Sequence, residues 1–500
     1  MLLRNVFSNW VALVVIGAIS FFLTPFMIHR LGDFEYGVYT LAFSVVGYSD
    51  LLEQGIRSTL LRFVARLSGR GDREGLDSVF STAMALALAI AAVMVLGCMG
   101  LSHILPAFFR LSAERQILFS RLVVLLGWNV GVAVPALLLG AYLAGLQRFD
   151  LYNVGAIIRM VCRAALIVMV LLRGQHVVAV AACVLASTVL SIPINSWMIW
   201  KVDPGLKLSP RLVRLRTSRE LLTFSFWTLL NNAGQLLRDS TDSIVIGRVL
   251  GAALITPFAV AARLVDYFRP IIRDMVSPLL PRFSELDGQG KEEEIRQLFL
   301  CMTRFSALAS LAIGSILLLH GRTLLLLWVG ERYVSSYPVL VLLTVGALAS
   351  LAQFGTVNVL TAMGRHRAYG MWTLGEGLAN LVLSVIWAYR YGIVGVALGT
   401  AVPLLAVKLT LQPWYVMRVI HMSVGEYVGK ALARPLAICL VFLAFCGAVG
   451  GFEANSSIWH LLYTVAWQSA LFAILAFTIG LEGSDRTLLR GRFARLAWTQ

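Results

Sequence analysis

Charged residues are scarce in this sequence. Asp, Glu, Lys and Arg make up 14% of its 500 residues, against about 25% in soluble globular proteins. Apolar residues make up 59%, and long runs of them recur from Val11 to Ile479. Because an α-helix crosses a bilayer with about 20 apolar residues, these runs exclude a soluble protein. Strands of a membrane β-barrel alternate over about 10 residues, so the runs predict an all-α polytopic membrane protein instead.

Motifs for crosslinks, metal binding and nucleotide hydrolysis are also lacking. The cysteines have no paired spacing and lie inside apolar runs, which predicts small buried residues. The seven histidines are scattered near segment ends without an HExxH pair. No GxxxxGK[ST] sequence is present, so we predict no ATP hydrolysis by this chain, no metal site and no cofactor. The cysteines are Cys98, Cys162, Cys183, Cys301, Cys439 and Cys446.

The connections between apolar runs are too short for a soluble domain. None contains paired carboxylates or a nucleophile elbow with enough surrounding chain for an active site, which argues against an enzyme. The net charge of +16 does not indicate nucleic-acid binding, because the basic residues concentrate in alternate loops, as the positive-inside rule requires. The first apolar run is too long for a cleaved signal peptide and lacks a small-residue cleavage site.

The apolar runs predict about fourteen transmembrane helices. Each run is about long enough to cross a bilayer, and the connections between runs are short. The predicted spans are about 7–28, 36–56, 79–104, 118–143, 150–172, 177–200, 220–242, 252–279, 299–320, 336–361, 369–390, 393–417, 431–450 and 459–481.

Basic residues set the predicted orientation. They cluster after the second span, after the sixth span and in the C-terminal tail, whereas 450–458 has no Lys or Arg. By the positive-inside rule, both termini and the even-numbered loops are cytoplasmic. The three clusters are Arg57, Arg62, Arg66, Arg70 and Arg73; Lys201, Lys207, Arg211, Arg214, Arg216 and Arg219; and Arg486, Arg490, Arg492 and Arg495.

An internal repeat with an offset of 219 residues (250 − 31) organises the chain. Each copy holds six spans, so both copies have the same orientation and are predicted to be parallel repeats around an axis along the membrane normal. We predict an N-lobe at 1–205, a C-lobe at 206–420, and two accessory spans with a basic tail at 421–500. The matching residues are Leu31-Gly32 with Leu250-Gly251, Tyr39 and Ala42 with Phe258 and Ala261, and Gly145 and Arg148 with Gly364 and Arg367.

Two arginines lie near the centre of the fifth span. Arg159 and Arg163 are four residues apart, so they share one helix face. No acidic residue lies near them in this span, whose ends are marked by Asp150 and Arg173. Charges at such depth are costly and normally face a bundle interior or a cavity. We interpret the pair as a cavity wall that attracts anionic cargo, with a structural ion pair to another helix as the alternative.

Charged residues also recur every three or four positions on the second and eighth spans, and each set is predicted to form one helical stripe. In the eighth span Arg263 and Asp266 can neutralise each other, while Arg269 and Arg273 lie nearer the cytoplasmic end, where anchoring to headgroups is the alternative. Because Asp50 aligns with Arg269 under the repeat offset, we predict a cavity lined by both lobes. The stripes are Asp50, Glu53 and Arg57, and Arg263, Asp266, Arg269 and Arg273.

Two further spans carry polar residues. Those of the seventh span are predicted either to line the same cavity or to join helices by hydrogen bonds. On the eleventh span Glu376 and Asn380 share a face, and Glu376 is the candidate for coupling to protons or sodium ions. A structural pair between Glu376 and an arginine such as Arg159 is the alternative. The seventh-span residues are Asn231, Gln235, Arg238 and Asp242.

Four stretches carry a family resemblance: PFMIHRLGDFEYGVY, SDLLEQGIRSTLLRFVA, DSIVIGRVLGAALITPFAVAARL and GRHRAYGMWTLGEGLANLVLSVIWAYRYGIVGVALGTAV. Their order and spacing are similar to those of Wzx-type O-antigen flippases. These form the polysaccharide-transport branch of the multidrug/oligosaccharidyl-lipid/polysaccharide (MOP) exporter superfamily. One departure is Thr256-Pro257-Phe258 in place of Gly-x-Tyr, where Pro257 is predicted to bend or open the start of the eighth span.

The resemblance implies a flippase rather than an enzyme. Such a protein moves an undecaprenyl-pyrophosphate-linked oligosaccharide across the bacterial inner membrane by alternating access, for O-antigen, capsule or exopolysaccharide biosynthesis. The implied partners are the lipid-linked glycan, the bilayer, a polymerase and glycosyltransferases. Arginines suit this cargo because a guanidinium binds phosphate through two hydrogen bonds. The last two spans are a hypothetical groove for the polyprenyl chain.

Three alternatives stay open at this point. The first is a small-molecule or drug exporter of the same superfamily, although cationic drugs favour an acidic cavity. The second is a membrane glycosyltransferase or polymerase, which needs a sizeable outer loop with catalytic acids. The third is a scaffold for an assembly complex.

Overall fold

The computed structural model describes residues 2–276, 280–449 and 457–481, and the elements over these ranges are helical. This confirms the predicted all-α membrane class. Ten described segments are long and apolar enough to cross a membrane. Phe7–Ser49 and Ala368–Val419 each hold parts of two predicted spans, so the number of about fourteen stays a prediction. All six cysteines are free; four are buried as predicted, whereas Cys162 and Cys301 are half-buried.

The chain forms two compact units, Met1–Ala259 and Val260–Gln500, and the three predicted domains stay a prediction. The helices of the first unit are α1 (Leu2–Val46), α2 (Asp50–Arg70), α3 (Arg73–Phe108), α4 (Ala113–Gly145), α5 (Phe149–Leu172), α6 (Val177–Val202) and α7 (Leu215–Val249). Helix α8 (Ile255–Asp266) begins in the first unit and ends in the second.

The second unit continues with helices of unequal length. A π-helical turn, Val407–Leu411, follows α14. The helices are α9 (Arg269–Val276), α10 (Leu280–Gly288), α11 (Glu292–Val329), α12 (Tyr337–Ala352), α13 (Phe354–Ala362), α14 (His366–Ala406), α15 (Gln412–Val419), α16 (Val424–Tyr427), α17 (Ala433–Ala448) and α18 (Ile458–Leu475).

A glycine interrupts α1 between the first two predicted spans. Gly32 has φ 72° and ψ 173°, a conformation that is essentially restricted to glycine. Its predicted repeat partner Gly251, between α7 and α8, has φ 99° and ψ 154°. The similar backbone at the two positions supports the predicted repeat, which as a whole stays a prediction.

Gly37 lies where α1 passes the turn before α8. A Cβ atom at Gly37 would clash with the carbonyl oxygen of Ala252, and a main-chain oxygen cannot rotate away as a side chain does. We expect Gly37→Ala to lower the free energy of unfolding by about 1–3 kcal/mol, measured as a lower melting temperature of the purified protein. Gly17→Ala in α1 is the control, because a Cβ at Gly17 meets nothing within 4 Å. Equal melting temperatures for the two variants would contradict the close approach.

The eighth predicted span, 252–279, is not one continuous helix over its described residues. Helix α8 ends at Asp266, and α9 begins at Arg269 after a two-residue turn. Pro270 has no N–H to donate to the carbonyl of Asp266, which accounts for the break. Pro257 lies in the first turn of α8, where proline is tolerated. The proline that interrupts this region is therefore Pro270 and not Pro257.

The two predicted accessory spans, α17 and α18, pack on α11. Leu308 of α11 shares an apolar cluster with Phe442 of α17 and Phe472 of α18. His320 Nε2 of α11 lies 2.7 Å from Gln468 Oε1 of α18, and both side chains are buried. These helices are therefore fixed to the ninth predicted span by packing and by a polar contact.

Candidate functional site

Helix α5 exposes an apolar stripe on one side and holds its two arginines on another. At about 100° per residue, Arg159 and Arg163 lie roughly 120–160° around the helix from the centre of that stripe. The buried residue Gly155 lies between the apolar stripe and the arginine face on one side of the helix, and the buried residue Ile167 lies between them on the other. The arginines therefore occupy an inner face of α5, away from the side that suits contact with lipid. The exposed stripe is Val154, Ile158, Val161, Met169 and Leu172.

Arg163 carries an unsatisfied donor on this inner face. Both arginines are half-buried, and Arg163 Nε is enclosed without a hydrogen-bond partner in the described part of the chain. Leaving a buried donor unpaired costs about 1–3 kcal/mol, and more for a charged group. Nor does any carboxylate among the described residues pair with Arg163. Among the described residues Arg163 thus has no ion-pair partner, and its role in a cavity that attracts anionic cargo stays a prediction.

Arg57 of α2 reaches the same face of α5. Its Nη2 donates to Tyr152 Oη at 2.5 Å, and its guanidinium carbon lies 5.2 Å from the centre of the Tyr152 ring. Tyr152 precedes Arg159 by about two helical turns, so both lie in one sector of α5. The side chains of Asp50 and Glu53, the other members of the predicted second-span stripe, are outside the described ones. The structure thus brings Arg57 to the face of α5 that also carries Arg159 and Arg163.

The residues of the predicted polar face of α7 differ in their exposure. Arg238 and Asp242 are buried, whereas Gln235 is exposed, and the side chain of Asn231 is outside the described ones. Near Asp242, Thr241 Oγ1 lies 3.1 Å from Tyr48 Oη. Burial among polar contacts inside the first unit favours a helix-joining role for Arg238 and Asp242.

The charges of the eighth predicted span lie on two short helices rather than on one stripe, because of the break before Pro270. Asp266 Oδ1 lies 3.2 Å from Arg269 Nη1 across this break, a pairing not considered from the spacing alone. Arg263 is exposed, and Arg273 pairs with the adjacent Asp274 at 3.0 Å. A cavity lined by both predicted lobes stays a prediction.

The second unit contains a buried ion pair. Lys408 Nζ lies 3.3 Å from Glu376 Oε2, and the two side chains are 3% and 1% exposed. Lys408 belongs to the π-helical turn after α14, a geometry that often marks functional sites. Its Nζ also lies 5.1 Å from the centre of the Tyr369 ring. Glu376 therefore has a cationic partner as the alternative predicted, but the partner that the structure shows is Lys408, not an arginine such as Arg159.

Asn380 lies one turn after Glu376 and makes its own polar contact. Its Nδ2 donates to Thr400 Oγ1 at 2.8 Å, and both side chains are buried. Sequence reasoning missed Lys408 and Thr400. Lys408 is the one charged residue in the apolar run 402–411, and this single charge could have identified Lys408 as a candidate.

The profile of the polysaccharide biosynthesis protein family matches residues 30–338. The chain is 24% identical over 502 residues to the uncharacterized membrane protein EpsK of Bacillus subtilis, covering 98% of each chain. It is 21% identical over 392 residues to the putative O-antigen transporter of Shigella flexneri, covering 78% of this chain and 92% of that one.

A solved structure shares the fold. The lipid II flippase MurJ, in an inward closed conformation, superposes with a TM-score of 0.70 at 13% identity, covering 95% of this chain and 98% of that one. The family profile spans more than half of the chain, and the four stretches singled out above resemble the same group of transporters. The chain belongs to the polysaccharide biosynthesis protein family, as its resemblance to polysaccharide transporters of the MOP superfamily predicts.

Proposed function

We propose that the protein is a flippase for an undecaprenyl-pyrophosphate-linked oligosaccharide and moves it from the inner to the outer leaflet of a bacterial cytoplasmic membrane. The observation that carries this proposal is the buried Nε of Arg163 on the inner face of α5, which has no hydrogen-bond partner among the described residues. The relatives named as a putative O-antigen transporter and a lipid II flippase support the same class of cargo. Alternating access is the mechanism that we propose for the transfer.

The cargo's pyrophosphate is the part that most needs the protein. Moving an anion from water into an apolar environment is very costly unless it is paired. Arginine offers a planar fork of donors that fits phosphate oxygens and stays charged at any physiological pH. Tyr152 accepts a hydrogen bond from Arg57, and the distance along α5 from Tyr152 to Arg163 is about 16 Å. Arg57, Arg159 and Arg163 thus provide successive cationic contacts along one path.

The polyprenyl chain needs no such path because it is soluble in the bilayer. We propose that it runs along the apolar outer surface of the accessory helices α17 and α18. Leu440 and Val441 of α17 are 68% and 60% exposed, and Tyr463 of α18 is 71% exposed. An apolar surface of this kind suits contact with both lipid tails and a polyprenyl chain.

We propose Glu376 as the group that couples transport to proton movement. Its partner Lys408 balances its charge in a site closed to solvent. Protonating Glu376 removes one of the two charges and weakens the pair, so that the surrounding helices are free to repack. Asn380 lies one turn away and holds Thr400, which belongs to the segment that leads to Lys408.

The predicted orientation places both termini in the cytoplasm, where the lipid-linked glycan is assembled. We propose glycosyltransferases as the suppliers of the cargo and a polymerase as its consumer. In a strain lacking the protein, lipid-linked repeat units should accumulate on the cytoplasmic face and surface polysaccharide should be lost, and a plasmid copy should restore both. Unchanged surface polysaccharide in a deletion strain without a second flippase would refute the proposal.

A further inference from the structure

The segment between α6 and α7, residues 203–214, is fixed to the start of α3 through its main chain. Five hydrogen bonds join main-chain atoms of this segment to side chains of α3. The bonds are Lys207 N to Asp77 Oδ1 (3.1 Å), Ser81 Oγ to Lys207 O (3.3 Å), Ser209 N to Ser81 Oγ (3.2 Å), Ser78 Oγ to Leu212 O (3.0 Å) and Arg214 N to Thr82 Oγ1 (3.2 Å).

The first residue of the segment is held as well. Asp203 accepts hydrogen bonds from Arg73 Nη1 and from Tyr142 Oη, both at 2.5 Å. Tyr142 is fully buried and its ring packs on Phe80. The segment is therefore held in place by two helices of the first unit, α3 and α4, and a ligand that binds its outer surface has little conformational entropy to remove.

The outer surface of the segment combines uncompensated cations with apolar side chains. Lys207, Arg211 and Arg214 are exposed, and none of them pairs with an acidic side chain in the described part of the chain. Between them, Leu208 is 59% exposed and Val213 is 39% exposed. The segment thus presents positive charge and apolar surface side by side.

The end of α6 extends this surface. Trp197 and Trp200 are 53% and 63% exposed, and Lys201 Nζ lies 3.9 Å from the centre of the Trp197 ring. Helix α6 is a candidate membrane span that ends at Val202, and tryptophan is enriched at the level of lipid headgroups. The segment that follows therefore starts at the membrane–water boundary, on the side that the basic loops predict to be cytoplasmic.

We propose that this surface, formed by Trp197, Trp200, Lys201, Lys207, Leu208, Arg211, Val213 and Arg214, is a binding site for anionic phospholipid headgroups. The cations pair with the lipid phosphates, and the tryptophans and Leu208 contact the upper part of the acyl chains. A phospholipid supplies both chemistries at the required depth, whereas an acidic protein or a nucleic acid leaves the apolar side chains in water. Basic residues beside a span attract anionic lipids in this way.

The test is a titration of the purified full chain in detergent with dioctanoyl-phosphatidylglycerol, with native mass spectrometry to measure binding. Dioctanoyl-phosphatidylcholine and inorganic phosphate are the comparison ligands. We expect the triple variant Lys207→Gln/Arg211→Gln/Arg214→Gln to bind phosphatidylglycerol about tenfold more weakly. The matched control Arg110→Gln/Arg173→Gln/Arg390→Gln removes three exposed arginines from predicted outer loops and should bind as the wild type does.

Three results would overturn the site. These are equal binding of the two lipids by the wild type, unchanged phosphatidylglycerol binding by the triple variant, and inorganic phosphate competing fully at the same concentration. If the triple variant does not fold, Arg211→Glu, which alters one exposed side chain only, replaces it in the binding measurement. It should weaken phosphatidylglycerol binding severalfold, and wild-type affinity for this variant would likewise count against the site.

Discussion

Replacing Arg159 and Arg163 together with glutamine is expected to lower translocation of the lipid-linked glycan at least about a hundredfold. Each arginine is proposed to make a charge-assisted contact to the pyrophosphate, and such contacts contribute about 1.5–3 kcal/mol each. Glutamine retains polarity and much of the length, so the loss reports on the guanidinium groups. The measurement is surface polysaccharide in a deletion strain complemented with each variant at equal protein levels.

Two matched variants separate cargo binding from a structural role. Arg159→Lys/Arg163→Lys keeps both charges but removes the planar fork, so it should retain partial activity. Arg110→Gln/Arg173→Gln removes the same charge from exposed positions and should behave as wild type. If the glutamine double variant, at normal expression, restores surface polysaccharide fully, the arginines of α5 have a structural role and the proposed path is incorrect.

The second large effect concerns stability. Lys408→Met removes the cation that faces the buried carboxylate of Glu376, and breaking a buried pair from one side costs about 3–5 kcal/mol. Adding Glu376→Gln removes the stranded charge at nearly constant volume and should recover most of that loss. The thermal unfolding of both variants in the same detergent measures this. A double variant as unstable as the single one would show that the charge pair is not the cause.

The same double variant tests the proposed coupling. If Glu376 carries the proton, the stable double variant should bind cargo but lose the dependence of transport on a pH gradient. If transport and its pH dependence stay at wild-type levels, the pair is purely structural. Because stability is measured first, a folding defect is not mistaken for a transport defect.

The membrane class and the shared helix face of Arg159 and Arg163 could be predicted from local sequence. Hydropathy reports on burial in lipid, since each run of apolar residues must satisfy its own backbone as a helix. Arg159 and Arg163 were identified because a charge inside a membrane-spanning apolar run is costly whatever the tertiary fold. The repeat offset pointed to Gly251 as the partner of Gly32, and both have positive φ.

Contacts between residues distant in sequence could not be predicted. Arg57 was assigned to a stripe on its own span, yet it binds Tyr152, 95 residues further along the chain. Glu376 was a candidate for ion coupling, with an arginine partner as the alternative, and only the fold of the second unit shows Lys408 beside it. The break before α9 was predictable in principle from Pro270. The bend was instead predicted at Pro257, because Pro257 departs from the family pattern.

The most direct test of the proposed function is translocation in proteoliposomes. Undecaprenyl-pyrophosphate-linked repeat units extracted from a deletion strain are incorporated with the purified protein, and the fraction of glycan open to periodate oxidation from outside is followed over time. With wild-type protein the accessible fraction should rise from about half in a symmetric bilayer to nearly all. With the Arg159→Gln/Arg163→Gln variant the accessible fraction should stay near that of protein-free vesicles. Equal time courses for wild-type and protein-free vesicles would contradict the assignment as a flippase.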